Sequence, residues 1–329
     1  MIQRRVFLAG TACAVAAPSV LAQATVHPTI SKTARLVLGF PPGGSLDSIA
    51  RLLAERIRGD YAPVVLVENR SGAGGRIAMD FARSSEPDGS VVVLAPASVM
   101  VIYPHVYKRL SYDPLKDFAP VSTVCTFQFG FSVGPAVPAE VRTIPQFAQW
   151  CKANPAQASF GSPGEGTMAH FAGIMVGRAA GMNLTHVPYK GGAPAIQDVV
   201  GGQIAASINV LSEPLPFAKE GRIRVLATTG STRSPFLPDV PTMHEAGFRD
   251  FDIQEYFAAW VAPRTPPGIV NALAAQLRIA VSSKELQDAY AARAFQPSAV
   301  TPNELDAMVR ADMAKWAPVV KSTGFSIDS

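Results

Sequence analysis

Only three cysteines occur in 329 residues, Cys13, Cys125 and Cys151, and none sits in a CxxC pair. That excludes a zinc ribbon or a thioredoxin-type redox motif. The histidines are few and scattered, at His27, His105, His170, His186 and His244, and none forms a metal pair at helical spacing. Beyond the N-terminal segment no run approaches the roughly eighteen apolar residues that a spanning helix needs. Charge of one sign is lacking too. The chain carries a formal +4; Arg4 and Arg5 supply two of these charges in a leader without acids, and the +2 that remains leaves no electrostatic footprint for nucleic acid. A G-x-S-x-G elbow is also missing, since "GSPGEG" puts Ser162 directly after the first glycine.

What is present begins with the leader, "MIQRRVFLAGTACAVAAPSVLAQA". It runs from charged through apolar to small residues, the order of a secretory signal, with cleavage expected after Ala24. Arg4-Arg5 followed by Val6-Phe7-Leu8 fits the twin-arginine variety; a Sec signal with two adjacent arginines is the alternative. Cys13 lacks a leucine three residues before it, which argues against a lipid anchor. Export to an oxidising compartment permits a Cys125–Cys151 bridge, and two separate buried thiols fit equally.

With 48% hydrophobic residues the chain can bury one large core or two medium ones. Short apolar runs alternate with amphipathic ones. Strands are expected at 36–40, 64–67 and 91–95, with helices at 48–58 and 77–84 between them. The pattern restarts near Ala158, with strands at 159–160, 184–188, 204–210 and 223–229 and helices at 168–178 and 193–200. Such alternation argues for βαβ units and parallel strands. The C-terminal part reads as helical, and Thr301, Pro302 and Glu304 form a capping-box signature. Met308, Met313 and Trp316 then pack that helix on a core. Two similar halves predict two lobes with a ligand cleft between them.

Four glycine-rich loops share one chemistry: "FPPGGSLD", "NRSGAGG", "GSPGEGTMAH" and "VPYKGGAP". The first and third follow a strand and open a helix, where free N–H groups and the helix dipole favour an anion. The anion is not a nucleotide phosphate. Ser45 stands where a phosphate loop needs lysine, and 168–197 holds no acid for a ribose contact. A carboxylate suits these loops better. Each residue also has a purely structural reading: Ser45 and Thr167 as helix N-caps, Asp47 as a dipole partner, His170 as a satisfied core histidine, Lys190 as a solvated charge, and Gly43, Gly44, Gly74 and Gly75 as turn formers.

The segments "VLGFPPGGSLDSIARLLAERI", "VVLVENRSGAGGRIAMDFARSSEPDG", "FGSPGEGTMAHFAG", "VPYKGGAPAIQDVVGGQIAA", "GRIRVLATTGSTRSPFLPDVPTMHEAGF" and "VAPRTPPGIV" occur in this order. Together they resemble the receptors of tripartite tricarboxylate transporters, the Bug family of periplasmic solute-binding proteins, over nearly all of the exported chain. The resemblance implies a two-lobed α/β binding protein, type II-like, each lobe a mixed sheet flanked by helices. It divides the chain into a signal at 1–24, lobe 1 at 33–127 plus 252–329, and lobe 2 at 128–251. It implies capture of a small organic acid (a di- or tricarboxylate, an aromatic carboxylate or an amino acid) and delivery to membrane transporter subunits. It implies no enzyme activity, no cofactor, no metal and a monomer.

By the same resemblance, the ligand is held by Phe40, Pro42, Gly43, Gly44, Ser45, Leu46 and Asp47 in one lobe. Ser162, Gly164, Gly166, Thr167 and His170 hold it in the other, with Ala73, Gly74, Tyr189 and Lys190 lining the same region. Three residues depart from the family pattern: Leu46 replaces a common threonine, Glu165 puts an acid in an anion-facing loop, and Arg76 stands where asparagine is frequent. A ligand sensor feeding a membrane kinase is an alternative with the same fold. A periplasmic hydrolase using Ser162 or Ser45 is a further one.

Overall fold

The computed structural model describes residues 29–248 and 251–328. The leader and its cleavage position lie outside the described residues. Among the described residues no helix is long and apolar enough to cross a membrane.

The first lobe starts with strand β1 (Ala34–Leu38), helix α1 (Ser45–Ile57), β2 (Val65–Asn69), α2 (Arg76–Arg83) and β3 (Val91–Pro96). β1 pairs in parallel with both β2 and β3, as two βαβ units require. The short α3 (Ser98–Val101) and α4 (Tyr103–Val106) follow, and then β4 (Ala119–Val133). The second lobe contains α5 (Ile144–Ala153), β5 (Ser159–Ser162), α6 (Met168–Ala179), β6 (Thr185–Pro188) and α7 (Gly192–Val200). It continues with β7 (Ala206–Val210), α8 (Leu215–Lys219) and β8 (Arg224–Thr228). The chain then returns through β9 (Gln254–Val261), α9 (Pro267–Ser282), α10 (Lys284–Ala291), β10 (Gln296–Pro297) and α11 (Pro302–Thr323).

The strand order is β2-β1-β3-β9-β4-β7-β5-β6, with β8 and β10 also on β4. Each lobe therefore joins three parallel strands to antiparallel ones, and the sheets are mixed. β4 belongs to both. It pairs with β9 as far as Gln128↔Gln254 and with β7 from Phe129↔Val210 onward. The aromatic floor of the cleft lies at this handover, and the walls rise from the strands on either side.

Local sequence explains most of the elements. Leu46, Ile49, Ala50, Leu53, Ala54 and Ile57 form the buried stripe of α1, and each fully buried Leu or Ile there is worth roughly 1.5–3 kcal/mol. The helix starts at Ser45, three residues earlier than its apolar spacing indicates, because Gly44 already takes the extended N-cap conformation. The capping box of α11 forms as expected, and Gly324 closes the helix in the left-handed conformation. Trp316 is buried, and Met308 and Met313 pack against the core. The helical reading of the C-terminal part misses β9. Its run "EYFAAWV" is buried along its whole length, so the strand shows no alternation. Cys125 and Cys151 are separate, buried, unpaired thiols.

The end of α11 also touches the second lobe. Arg178 donates to the carbonyls of Ser322 and Thr323, and Phe325 packs edge-on against His170 and Phe171.

One glycine contact fixes the cleft loop after β1. A Cβ on Gly39 would lie 2.5 Å from the Cα of Gly75 and 2.8 Å from its carbonyl oxygen, so two backbones touch there. Gly39→Ala should lower stability by about 1–3 kcal/mol in urea unfolding. Gly268→Ala, whose Cβ meets nothing within 4 Å in the first turn of α9, should leave the midpoint unchanged or raise it.

Candidate functional site

A cavity of about 100 Å³ lies between the lobes. Residues 40–42 and 44–47, Ser98, Phe127, Glu255 and Phe257 line it from the first lobe. Thr167, Ala169, the 190–194 turn, Val210 and Glu213 line it from the second. Phe129, at the handover in β4, completes the floor.

The start of α1 already holds a carboxylate, and it is the protein's own. Ser45 N–H donates to Glu213 Oε1 at 3.0 Å, and Ser45 Oγ donates to the same oxygen at 2.5 Å. Ser45 Oγ also meets Ser212 Oγ at 2.6 Å. Ser45 is therefore not the N-cap; it sits at the first helical position and ties the two lobes together. Burial pushes the Glu213 carboxyl above its ordinary range, and the two bonds from Ser45 oppose this. Asp47 does more than face the helix dipole. It accepts from Gly43 N–H at 3.1 Å, from Arg51 at 2.8 and 3.0 Å, and from Asn69 at 3.1 Å. Burial alone would raise its pKa, but Arg51, Gly43 and Asn69 hold it below the usual carboxylate range.

The facing loop is braced from behind. Thr167 is the N-cap of α6: its Oγ1 accepts from His170 N–H at 3.3 Å and donates to the Gly164 carbonyl at 2.8 Å. His170 Nδ1 accepts from Gly166 N–H at 3.2 Å. Its ring stacks on His186 at 3.8 Å between centroids, and His186 Nε2 shares a 2.8 Å bond with Ser162 Oγ. Burial drives the pKa of His170 down to about 3, with help from His186, and that of His186 to about 4. Both rings are neutral at pH 7 and offer no cation to an anion. Ser162 is buried and pairs with His186, not His170.

The expected site residues thus divide into three groups. Phe40, Pro42, Gly44, Ser45, Leu46, Asp47, Thr167 and Lys190 line the interlobe cavity. Ala73, Gly74, Gly164 and Tyr189, expected in the same region, instead line a neighbouring opening together with Glu165 and Arg76. Lys190 reaches both. Gly43, Ser162, Gly166 and His170 line neither: Asp47 takes the Gly43 N–H, His170 Nδ1 takes the Gly166 N–H, and Ser162 Oγ is shared with His186 of β6. Of the three departures, Leu46 is 5% exposed and faces the cavity. Glu165 is exposed on the neighbouring opening, away from the cavity wall. Arg76 lays its guanidinium over the Tyr107 ring at 4.1 Å and donates to the Ala73 carbonyl.

Two groups of lining residues escape the sequence reading. The aromatic floor of Phe127, Phe129 and Phe257 belongs to buried strands whose side chains read only as core. The second group is acidic. Ser98 N–H donates to Glu255 Oε1 at 2.8 Å, and Ser98 Oγ donates a shorter second bond to the same oxygen. Met168 N–H, from the other lobe, donates to Ser98 Oγ at 3.0 Å. Burial pushes the Glu255 carboxyl up to about 7, against the Ser98 bonds and with a contribution from Asp312. A lone glutamate inside the apolar run "QEYFAAWV" was the available signal. Glu213, between Ser212 and Pro214, had none. Among the described residues no group of three or more His, Cys, Asp or Glu is placed to hold a metal ion.

Residues 49–325 match the family described as tripartite tricarboxylate transporter family receptor. The protein BugT of Bordetella pertussis is 32% identical over 291 residues, which cover 88% of this chain and 89% of that one. A solved R. palustris protein with adipate is 28% identical with a TM-score of 0.84, over 89% of this chain and 98% of its own. MatC from Rhodopseudomonas palustris, solved with bound malate, is 25% identical with a TM-score of 0.78, over 88% and 98%.

The buried glutamate sets a pH dependence of known sign. With the pKa raised from 4.5 to about 7 in the fold, its contribution is fully present below pH 4.5 and lost as pH rises through 7, by roughly 3 kcal/mol. His170 and His186 act oppositely, losing stability as pH falls below 6.5. Urea midpoints at pH 4.5, 6, 7 and 8 should show Glu255→Gln gaining on the parent protein as pH rises, with the histidine contribution cancelling in the difference.

Proposed function

The chain belongs to the tripartite tricarboxylate transporter receptor family, and from that premise we propose that it captures a small carboxylate-bearing solute between its lobes and presents it to the membrane subunits of such a transporter. The observation that carries this reading is the convergence of helix starts on one small cavity. The N-cap positions of α1 and α7, Gly44 and Gly191, have no capping side chain. The first-turn N–H groups not taken by Glu213 are left for whatever fills the cavity. Relatives solved with adipate and malate support a carboxylate as that occupant. The relatives named as periplasmic binding proteins support a periplasmic location.

Binding would proceed by closure. A ligand touching the loop 40–47 and the start of α6 together gains both sets of contacts only when the lobes meet. Ser45–Glu213 and Ser98–Met168 are direct contacts between the lobes in that closed arrangement. The carboxylate charge would be met mainly by oriented N–H groups, since Arg51 is committed to Asp47 and the lining lysine, Lys190, is exposed. Leu46, Val210 and the phenylalanines would hold the hydrocarbon part of the ligand. Salt dependence should be modest, because buried interactions are screened little.

A thermal-shift panel of aliphatic and aromatic carboxylates tests this. At a hundredfold excess over Kd a ligand adds about 2.7 kcal/mol to stability, a readily measured rise in Tm. Leu46→Ala should weaken the best ligand by about 1–2 kcal/mol, some 5–30-fold in Kd. A panel in which no carboxylate raises Tm would overturn the proposal.

A further inference from the structure

The cavity holds more negative than positive groups for a receptor that takes an acid. Asp47 is neutralised by Arg51 and Asn69. Glu213 spends Oε1 on both donors of Ser45, and its Oε2 also accepts no bond among the described residues, but Glu213 is half-buried and water can meet that oxygen. Glu255 is 3% exposed, lines the cavity, and spends Oε1 on both donors of Ser98. Its Oε2 has no hydrogen-bond partner among the described residues. Among the described residues that line the cavity the only cation is Lys190, which is exposed. The groups packed around Glu255 add to the deficit. Asp312 from α11 acts on it electrostatically, and Tyr103 from α4 and Tyr256 beside it in β9 feel its charge in turn. Its remaining neighbours on the cavity side, Phe127 and Phe257, are apolar.

A carboxylate oxygen that faces an apolar cavity without a donor is poorly solvated, and a second anion beside it costs more. A ligand that presents a donor to this oxygen relieves the cost. We propose that the solute recognised here is an amino-substituted carboxylate, whose ammonium group is received by Glu255 while its carboxylate meets the helix starts. This rests on the carboxylate-receptor reading above and narrows it. A dicarboxylate of the same length would set its second carboxylate against Glu255 and bind only with uptake of a proton.

The two ligand classes therefore respond oppositely to pH. An ammonium ligand requires Glu255 ionised, so its affinity rises as pH climbs through about 7. A dicarboxylate requires a shared proton, so its affinity falls by up to tenfold per pH unit. Isothermal titration of the purified protein at pH 6 and 8 with length-matched series separates them: 4-aminobutanoate, butanoate and succinate, then 6-aminohexanoate, hexanoate and adipate, with α-amino acids of equal chain length. The amino acid of at least one series should bind at least tenfold tighter than its dicarboxylate at pH 8, with the gap narrowing at pH 6. Glu255→Gln, checked by thermal melting for folding, should shrink the gap to threefold or less. The pH series on the unaltered protein stands without the variant. A dicarboxylate that binds as tightly as its amino counterparts at pH 8, or a gap that Glu255→Gln leaves intact, overturns the amino-ligand inference alone. Absence of binding by every acid overturns the carboxylate reading with it.

Discussion

Helix starts leave backbone N–H groups without partners, and this fold directs several of them into one narrow cleft. The rest of the site follows from how those donors are shared. Asp47 takes the Gly43 N–H, Glu213 takes the Ser45 N–H, and Thr167 caps His170. What remains is a small set of first-turn donors open to water or to a bound group. Their placement depends on two touching backbones, Gly39 on Gly75, and on the neutral His170–His186 stack behind the opposite loop. Neither feature lines the cavity, yet both brace its walls.

The same accounting explains the role of the acids. In an apolar cavity a carboxylate is expensive unless its lone pairs are met. Asp47 is fully met by an arginine, an amide and a backbone donor, and so stays ionised. Glu213 and Glu255 are met on one oxygen only, and burial raises both. Three carboxylates within one site thus have different tasks. One braces a loop, one joins the lobes, and one is left to discriminate between ligands. Phe127, Phe129 and Phe257 give the floor an apolar surface, beside which a charge is felt more strongly.

Family membership and local chemistry answer different questions. The match over residues 49–325 and the solved relatives with adipate and malate establish the fold and the class of receptor. They leave the ligand to the lining residues, where Leu46, Glu213 and Glu255 stand.

Much of this was legible in the chain itself, because the governing signals were local. The apolar stripe of α1, the Thr167 cap, the Thr301–Glu304 capping box and the glycine loops are all written within a few residues. The glycine-rich loops that bare their backbone, and the ordered motifs shared with the family, are likewise read from local sequence. Other features needed distant partners. Ser45 reads as a cap until Glu213, 168 residues away, is seen to hold it. β9 reads as anything apolar until its pairing with β3 and β4 buries both faces. His170 reads equally as a ligand contact or a core histidine until its stack on His186 and its bond from the Gly166 N–H are seen. Local propensity and backbone exposure are properties of a segment, so the sequence alone determined them. Which donors are already spent, and which carboxylate oxygen is left unpaired, are properties of contacts between segments. Only the tertiary structure could decide them.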